Sequence, residues 1–94
     1  MQKELLKGHL SFLILHLLSQ KQLSGKGIVD EIAKRKGNRL SPGTIYPSLE
    51  VLKQKGFVQV AKKIDKEKVY DLTADGKNAL DEGKILFQKM FYDI

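Results

Sequence analysis

Ser41, Gly43, Thr44 and Ser48 form a small, uncharged, hydroxyl-rich group, and no carboxylate precedes Glu50 in that stretch. Ser41 is a good helix N-cap, and Pro42 suits the first helical position, where a missing N–H costs nothing. Leu40 before the cap and Ile45 after it predict a hydrophobic staple. Ile45, Leu49 and Leu52 recur at i, i+4 and i+7, so one face of this helix is buried and the hydroxyl group stays outside. A helix start carries the positive end of the backbone dipole, and hydroxyls without an acid suit a polyanion there. The expected chemistry is recognition of a nucleic acid.

No enzyme constellation competes with that reading. The chain has no cysteine nucleophile, no paired carboxylates in an apolar setting, and no phosphate-binding loop, since Gly25 and Gly27 lack a preceding strand. His9 and His16 stand seven apart without a third ligand, whereas a metal pair wants three or four. No metal and no cofactor are expected. The absence of cysteine also excludes disulfides and fits a reducing, cytoplasmic setting. The apolar run from Phe12 to Leu18 is too short to span a membrane, and the N-terminal region lacks the pattern of a secretion signal.

Ninety-four residues suit one domain, small enough that oligomerisation helps stabilise it. The net charge of +6 is unevenly spread. Lys21 to Lys68 holds twelve Lys/Arg and five Asp/Glu; Val69 to Ile94 holds three and five. Positive charge therefore gathers around the hydroxyl-rich helix.

Helix 1 is expected over Lys3–Ser19, with Leu6, Leu10, Leu13, Ile14, Leu17 and Leu18 on one face and Leu5, Phe12 and the histidines on another. Lys21, Gln22 and Leu23 are expected as a plain connector. Helix 2 starts near Ser24, buries Ile28, Val29, Ile32 and Ala33, and stops at Gly37-Asn38. Helix 3 runs from Pro42 to about Lys55 and is closed by Gly56. Alternation at Val58 and Val60, a polar turn at 64–67 and β-formers Val69 and Tyr70 predict a hairpin. Lys62, Lys63, Lys66 and Lys68 on it are either a solvated cluster that guards a sheet edge or phosphate contacts, and the second reading is favoured. Arg39 and Lys26 flank the helix pair and are weaker candidates for the same role.

The last helix is capped by Thr73 and runs to about Tyr92. Leu80, Gly83, Phe87, Met90 and Ile94 recur at steps of three and four, the seam of a helix packed along another helix. Gly83 is expected to allow close approach. Phe87, Phe91 and Tyr92 with Phe12 are read as dimer core in preference to a pocket for a small-molecule effector.

The residues Leu40-Ser41-Pro42-Gly43-Thr44-Ile45-Tyr46-Pro47, then Leu49, Leu52, Gly56, Tyr70-Asp71-Leu72-Thr73 and Gly76, resemble the PadR family of winged helix-turn-helix transcriptional regulators. Gly43-Thr44-Ile45-Tyr46-Pro47 is the specific part, because a proline six residues into a helix is otherwise disfavoured. The resemblance covers about residues 5 to 92. It departs at Ser24-Gly25-Lys26-Gly27, where family members usually carry a tyrosine, and in the short final helix.

The fold class expected is mainly α with a small β-hairpin: a winged helix-turn-helix domain over 1–94, with 73–94 as a C-terminal dimerisation helix. The resemblance implies a transcriptional regulator, most simply a repressor, binding double-stranded DNA as a homodimer on a two-fold symmetric operator. DNA contacts are expected from Arg39, Ser41, Thr44, Tyr46, Pro47, Ser48, Lys62, Lys63, Lys66 and Lys68. For Tyr46, plain packing and a hydroxyl on phosphate are equal alternatives; Pro47 offers an apolar surface to a thymine methyl. The dimer interface is expected at Leu5, Phe12, Leu80, Gly83, Phe87, Met90, Phe91 and Ile94. The alternative function is a winged-helix protein-interaction module without DNA binding.

Overall fold

The computed structural model describes the backbone of residues 2–37 and 41–92, with side chains at 10–35, 37, 41, 43–86, 88 and 89. The elements run α1 (Gln2–Gln20), β1 (Leu23–Ser24), α2 (Gly25–Lys36), α3 (Pro42–Gln54), β2 (Val58–Ile64), β3 (Glu67–Leu72) and α4 (Ala74–Tyr92). The connector expected after helix 1 is in part a strand. Leu23 and Ser24 pair antiparallel with Tyr70 and Val69, which makes a three-stranded sheet of order β1-β3-β2. Two residues are too few to show alternation, so sequence pattern alone gave no sign of β1.

Helix starts follow their caps. The Ser24 hydroxyl accepts from the Gly27 amide at 3.0 Å and opens α2. The Thr73 hydroxyl accepts from the Gly76 amide at 3.0 Å to open α4, and donates to the Gly56 carbonyl at 2.6 Å. That second bond ties the end of the sheet to the close of α3. Ser41 stands at the N-cap of α3 with an extended backbone, but its side chain makes no capping bond. Its hydroxyl pairs instead with that of Thr44 at 3.2 Å. Leu40, expected to staple this helix, lies outside the described residues. Gly37 ends α2 at φ 72 with its amide bonded to the Ala33 carbonyl, as a left-handed C-terminal residue should.

One core joins all four helices and the sheet. Ile14 and Leu17 of α1, Ile28 of α2, Ile45 and Leu49 of α3, and Leu80 of α4 are its most buried side chains, with Val58 and Tyr70 contributed by the strands. Burial of each apolar side chain contributes about 1.5–3 kcal/mol. Ile45 and Leu49 are fully buried on the inner side of α3, so the position of its outer side is fixed by the core.

Three of the expected interface residues have a different place. Leu80 is 1% exposed in the single chain and belongs to its own core. A Cβ at Gly83 would lie 2.9 Å from the Phe12 ring of the same chain. Gly83 and Phe12 therefore close the α1–α4 packing within one subunit, and the three-and-four seam on α4 is an internal one over this half. Among the described residues, the large apolar side chains that α4 exposes are Ile85 and Leu86, at 54% and 60%. Leu5, Phe87, Met90, Phe91 and Ile94 lie outside the described side chains, as does Tyr92 of the effector-pocket alternative. Among the described residues, no helix is long and apolar enough to cross a membrane.

Candidate nucleic-acid interface

The outer side of α3 is built from its first two turns. Gly43, Thr44, Tyr46 and Pro47 are exposed and Ser48 is half-buried, while Ile45 and Leu49 anchor the opposite side. The hydroxyls are already ordered. Ser41 and Thr44 face each other, and Ser48 donates to the Thr44 carbonyl at 3.2 Å. With its hydrogen committed, the Ser48 oxygen presents lone pairs outward; the Ser41–Thr44 pair shares one hydrogen and keeps one O–H free to donate. Pro47 sits inside a helix that continues unbroken to Gln54.

Tyr46 has both of the roles weighed from sequence open to it. A Cβ at Gly25 would fall 2.5 Å from the Tyr46 ring, so the ring lies directly on the first residue of α2. It is nonetheless 45% exposed. The absence of a side chain at Gly25 is what lets the Tyr46 ring settle there. Sequence reasoning gave Gly25 no such role.

The wing is β2, β3 and their turn. Asp65 and Lys66 both have positive φ, 51 and 70. With Ile64 paired to Glu67, this is a two-residue loop of the mirror-image type that suits the twist of a hairpin. Lys62, Lys63, Lys66 and Lys68 are all exposed. The register slips between Val60 and Lys62, leaving Ala61 as an extra residue in β2. Past that bulge Lys63 lies directly opposite Lys68, and Lys62 opposite Val69. Alternation then puts Lys63 and Lys68 on the Tyr70 face of the hairpin and Lys62 on the other. Lys66, Lys68 and Tyr70 line a groove whose opposite wall is Tyr46 and Glu50 of α3. Lys63 and Lys68 thus share a front with the outer side of α3. Burial holds the Tyr70 hydroxyl above its ordinary pKa, and the nearby charges of Glu50 and Tyr46 add to that.

Among the described residues, no carboxylate pairs with the wing lysines. Elsewhere, Glu31 gathers cations and meets Lys21 at 3.1 Å, Arg35 at 3.6 Å and Lys34 at 3.9 Å. Lys26 is exposed in the first turn of α2. Arg39 lies outside the described residues.

A fold with α3 and a hairpin on one front is found in solved regulators. The chain matches a PadR-like transcriptional regulator from Bacillus cereus at a TM-score of 0.81 and 26% identity, over 93% of this chain and 88% of that one. It matches Bacillus subtilis PadR in complex with operator DNA at a TM-score of 0.73 and 32% identity, over 81% of this chain but only 47% of that protein. In sequence it is 29% identical over 84 residues to the transcriptional regulator Rv3488 of Mycobacterium tuberculosis, spanning 86% of this chain and 78% of that protein. The model of the transcriptional regulator PadR-like family matches residues 14–82. With the motif from Leu40 to Pro47, the winged fold and that match in agreement, the chain belongs to the transcriptional regulator PadR-like family.

Proposed function

We propose that the chain is a sequence-specific DNA-binding regulator, a repressor in its simplest mode, that acts in the cytoplasm as a homodimer on a two-fold symmetric operator. The observation that carries the reading is the single front formed by the outer side of α3 and the unpaired lysines of the wing. On that front Ser41, Thr44 and Ser48 enter the major groove, Pro47 meets a thymine methyl, and the wing lysines lie on flanking phosphates. The Tyr46 hydroxyl, which has no hydrogen-bond partner among the described residues, donates to a phosphate near the start of α2. Support comes from the Bacillus subtilis relative, whose structure holds operator DNA.

A dimer follows from operator geometry and from α4. Two recognition helices about 34–36 Å apart read successive turns of the same face of DNA. Ile85 and Leu86 are apolar, exposed and on the element that leaves the core, so a second copy is the natural cover for them. Light scattering at micromolar concentration and footprinting upstream of the chain's own gene test the two halves together. A dimer protecting a palindrome is expected; a monomer that protects nothing would overturn the reading. The interaction-module alternative predicts retention on heparin or DNA that hardly changes with salt.

A further inference from the structure

Among the described residues, nothing supplies a reason for a glycine at position 43. The other six described glycines each have one. Gly37 and Gly56 adopt positive φ, and a Cβ at Gly25, Gly27, Gly76 or Gly83 would meet neighbouring atoms at close range. At Gly43 the backbone is ordinary, and the nearest atom to an added Cβ is the Ser41 hydroxyl oxygen at 3.7 Å, a normal contact. Glycine within a helix is less favourable than alanine, so the fold alone would be better served by a side chain.

A second feature marks the same residue. The carbonyl of residue 43 would take the amide hydrogen of residue 47 in a regular helix. Position 47 is proline, which has no such hydrogen, and the helix nevertheless continues through it. The Gly43 carbonyl therefore lacks its i+4 donor on the exposed side of α3, between Thr44 and Pro47. An acceptor without its helical donor, beside a residue stripped of its side chain, fits a hydrogen-bond donor that comes very close to the backbone.

We propose that Gly43 is the point of closest approach between α3 and the DNA, where its carbonyl accepts from the amino group of an adenine or cytosine on the major-groove edge. Those amino groups are the donors the major groove offers. A side chain at 43 would add bulk at the turn where the backbone has to come close to the base edge. This rests on the DNA-binding reading and adds to it one position where the backbone, and not a side chain, reads a base.

Gly43→Ala tests it with two readouts of opposite sign. Thermal unfolding should show Tm raised by roughly 2–4 °C, because alanine is the better helix former and the site has room. Affinity for a 30-base-pair duplex, selected by the wild-type dimer from a randomised pool, should fall roughly tenfold or more. Affinity for mixed-sequence genomic DNA should stay within about twofold, since the wing lysines carry it. In the selected duplex, adenines and cytosines are then replaced one at a time by purine or 2-pyrimidinone, which lack the amino group. At one position per half-site the wild type should lose about what Gly43→Ala loses, and Gly43→Ala should lose nothing further. A stabilised variant that binds the selected duplex as the wild type does would overturn the role of Gly43. So would the lack of any amino position with this non-additive behaviour. A pool from which the wild type enriches no sequence would instead overturn the DNA-binding reading beneath it.

Discussion

Two basic regions of this molecule have nearly the same composition and opposite electrostatic fates. At the α1–α2 junction, Lys21, Lys34 and Arg35 surround Glu31, and Arg35 also donates to the Gln20 side chain at 2.8 Å. Their charge is spent on holding two helices together. On the wing, Lys62, Lys63, Lys66 and Lys68 stand without a carboxylate partner among the described residues, and Lys63 directly faces Lys68. Like charges opposite one another cost stability in a sheet, and no ion pair among the described residues offsets this. Net charge cannot distinguish these cases. A cation that destabilises its own fold is the one with field left for an outside polyanion.

The largest effect should therefore come from the wing. Lys63→Glu combined with Lys68→Glu should weaken binding to any duplex on the order of 100-fold at ~50 mM salt. Replacing both by glutamine removes two contacts from each subunit and should lower the slope of log affinity against log salt by about four for the dimer. The matched change at the junction, Lys21→Gln with Arg35→Gln, should leave affinity within about threefold while lowering Tm. Equal losses of DNA binding from the two pairs, measured by anisotropy titrations over a salt series, would erase the distinction between the regions.

Glu50 sharpens the same contrast. It lies in the groove between α3 and the wing, lined also by Lys66 and Lys68, yet pairs with neither. Unlike Glu31 it neutralises nothing nearby and opposes an approaching phosphate. Glu50→Gln should bind mixed-sequence DNA roughly two- to fivefold more tightly, with no loss of Tm. Weaker binding would place Glu50 in contact with a base, as an acceptor from cytosine.

The elements behind this contrast were legible in the sequence to different depths. The i, i+4, i+7 spacing of Ile45, Leu49 and Leu52 located the recognition helix, because a buried stripe leaves a period of 3.6 residues. The turn at 64–67 was legible from its polarity, and Thr73 and Gly56 from their cap chemistry. The sorting of the wing lysines was not, because the bulge at Ala61 shifts register and no propensity marks it. Leu80 reads as interface although its own chain buries it, since a helical seam reads the same whether its cover is α1 or another chain. Glu31 was overlooked for a similar reason. Its spacing to Lys34 and Arg35 is local, but Lys21 reaches it only once α1 and α2 are folded together.

The wing turn separates charge from backbone conformation. Lys66 holds φ 70 and Asp65 φ 51, a region in which residues with a Cβ are disfavoured. Asn-Gly is the preferred pair for this loop. Asp65→Asn with Lys66→Gly should stabilise the domain by about 0.5–1 kcal/mol. It should also reduce the DNA salt slope by about two for the dimer if Lys66 meets a phosphate. Tm up with the slope unchanged would remove Lys66 from the contact set and leave Lys63 and Lys68 as the wing's contribution.

The smallest effect belongs to the neutralised cluster, and it is visible only in acid. The hydrogen bond from Lys21 is the main cause that holds the Glu31 carboxyl below its usual value of 4.5; desolvation opposes it, and the charges of Lys21, Lys34 and Arg35 add to it. A carboxyl whose folded pKa is depressed stabilises the fold above its unfolded pKa, and that stability is lost as pH falls through the folded value. Glu31→Gln keeps the shape and cannot ionise. Its Tm should lie slightly below the wild type's from pH 5 to 7, and the two curves should converge as pH drops below about 4. DNA affinity at neutral pH should stay within about twofold, because the cations released belong to α2 and its approach, not to the outer side of α3 or the hairpin, and remain exposed to salt. Curves that run parallel down to pH 2.5 would show that Glu31 acts by packing alone, and a large gain in DNA affinity would show that the junction lysines had been held back from the same front.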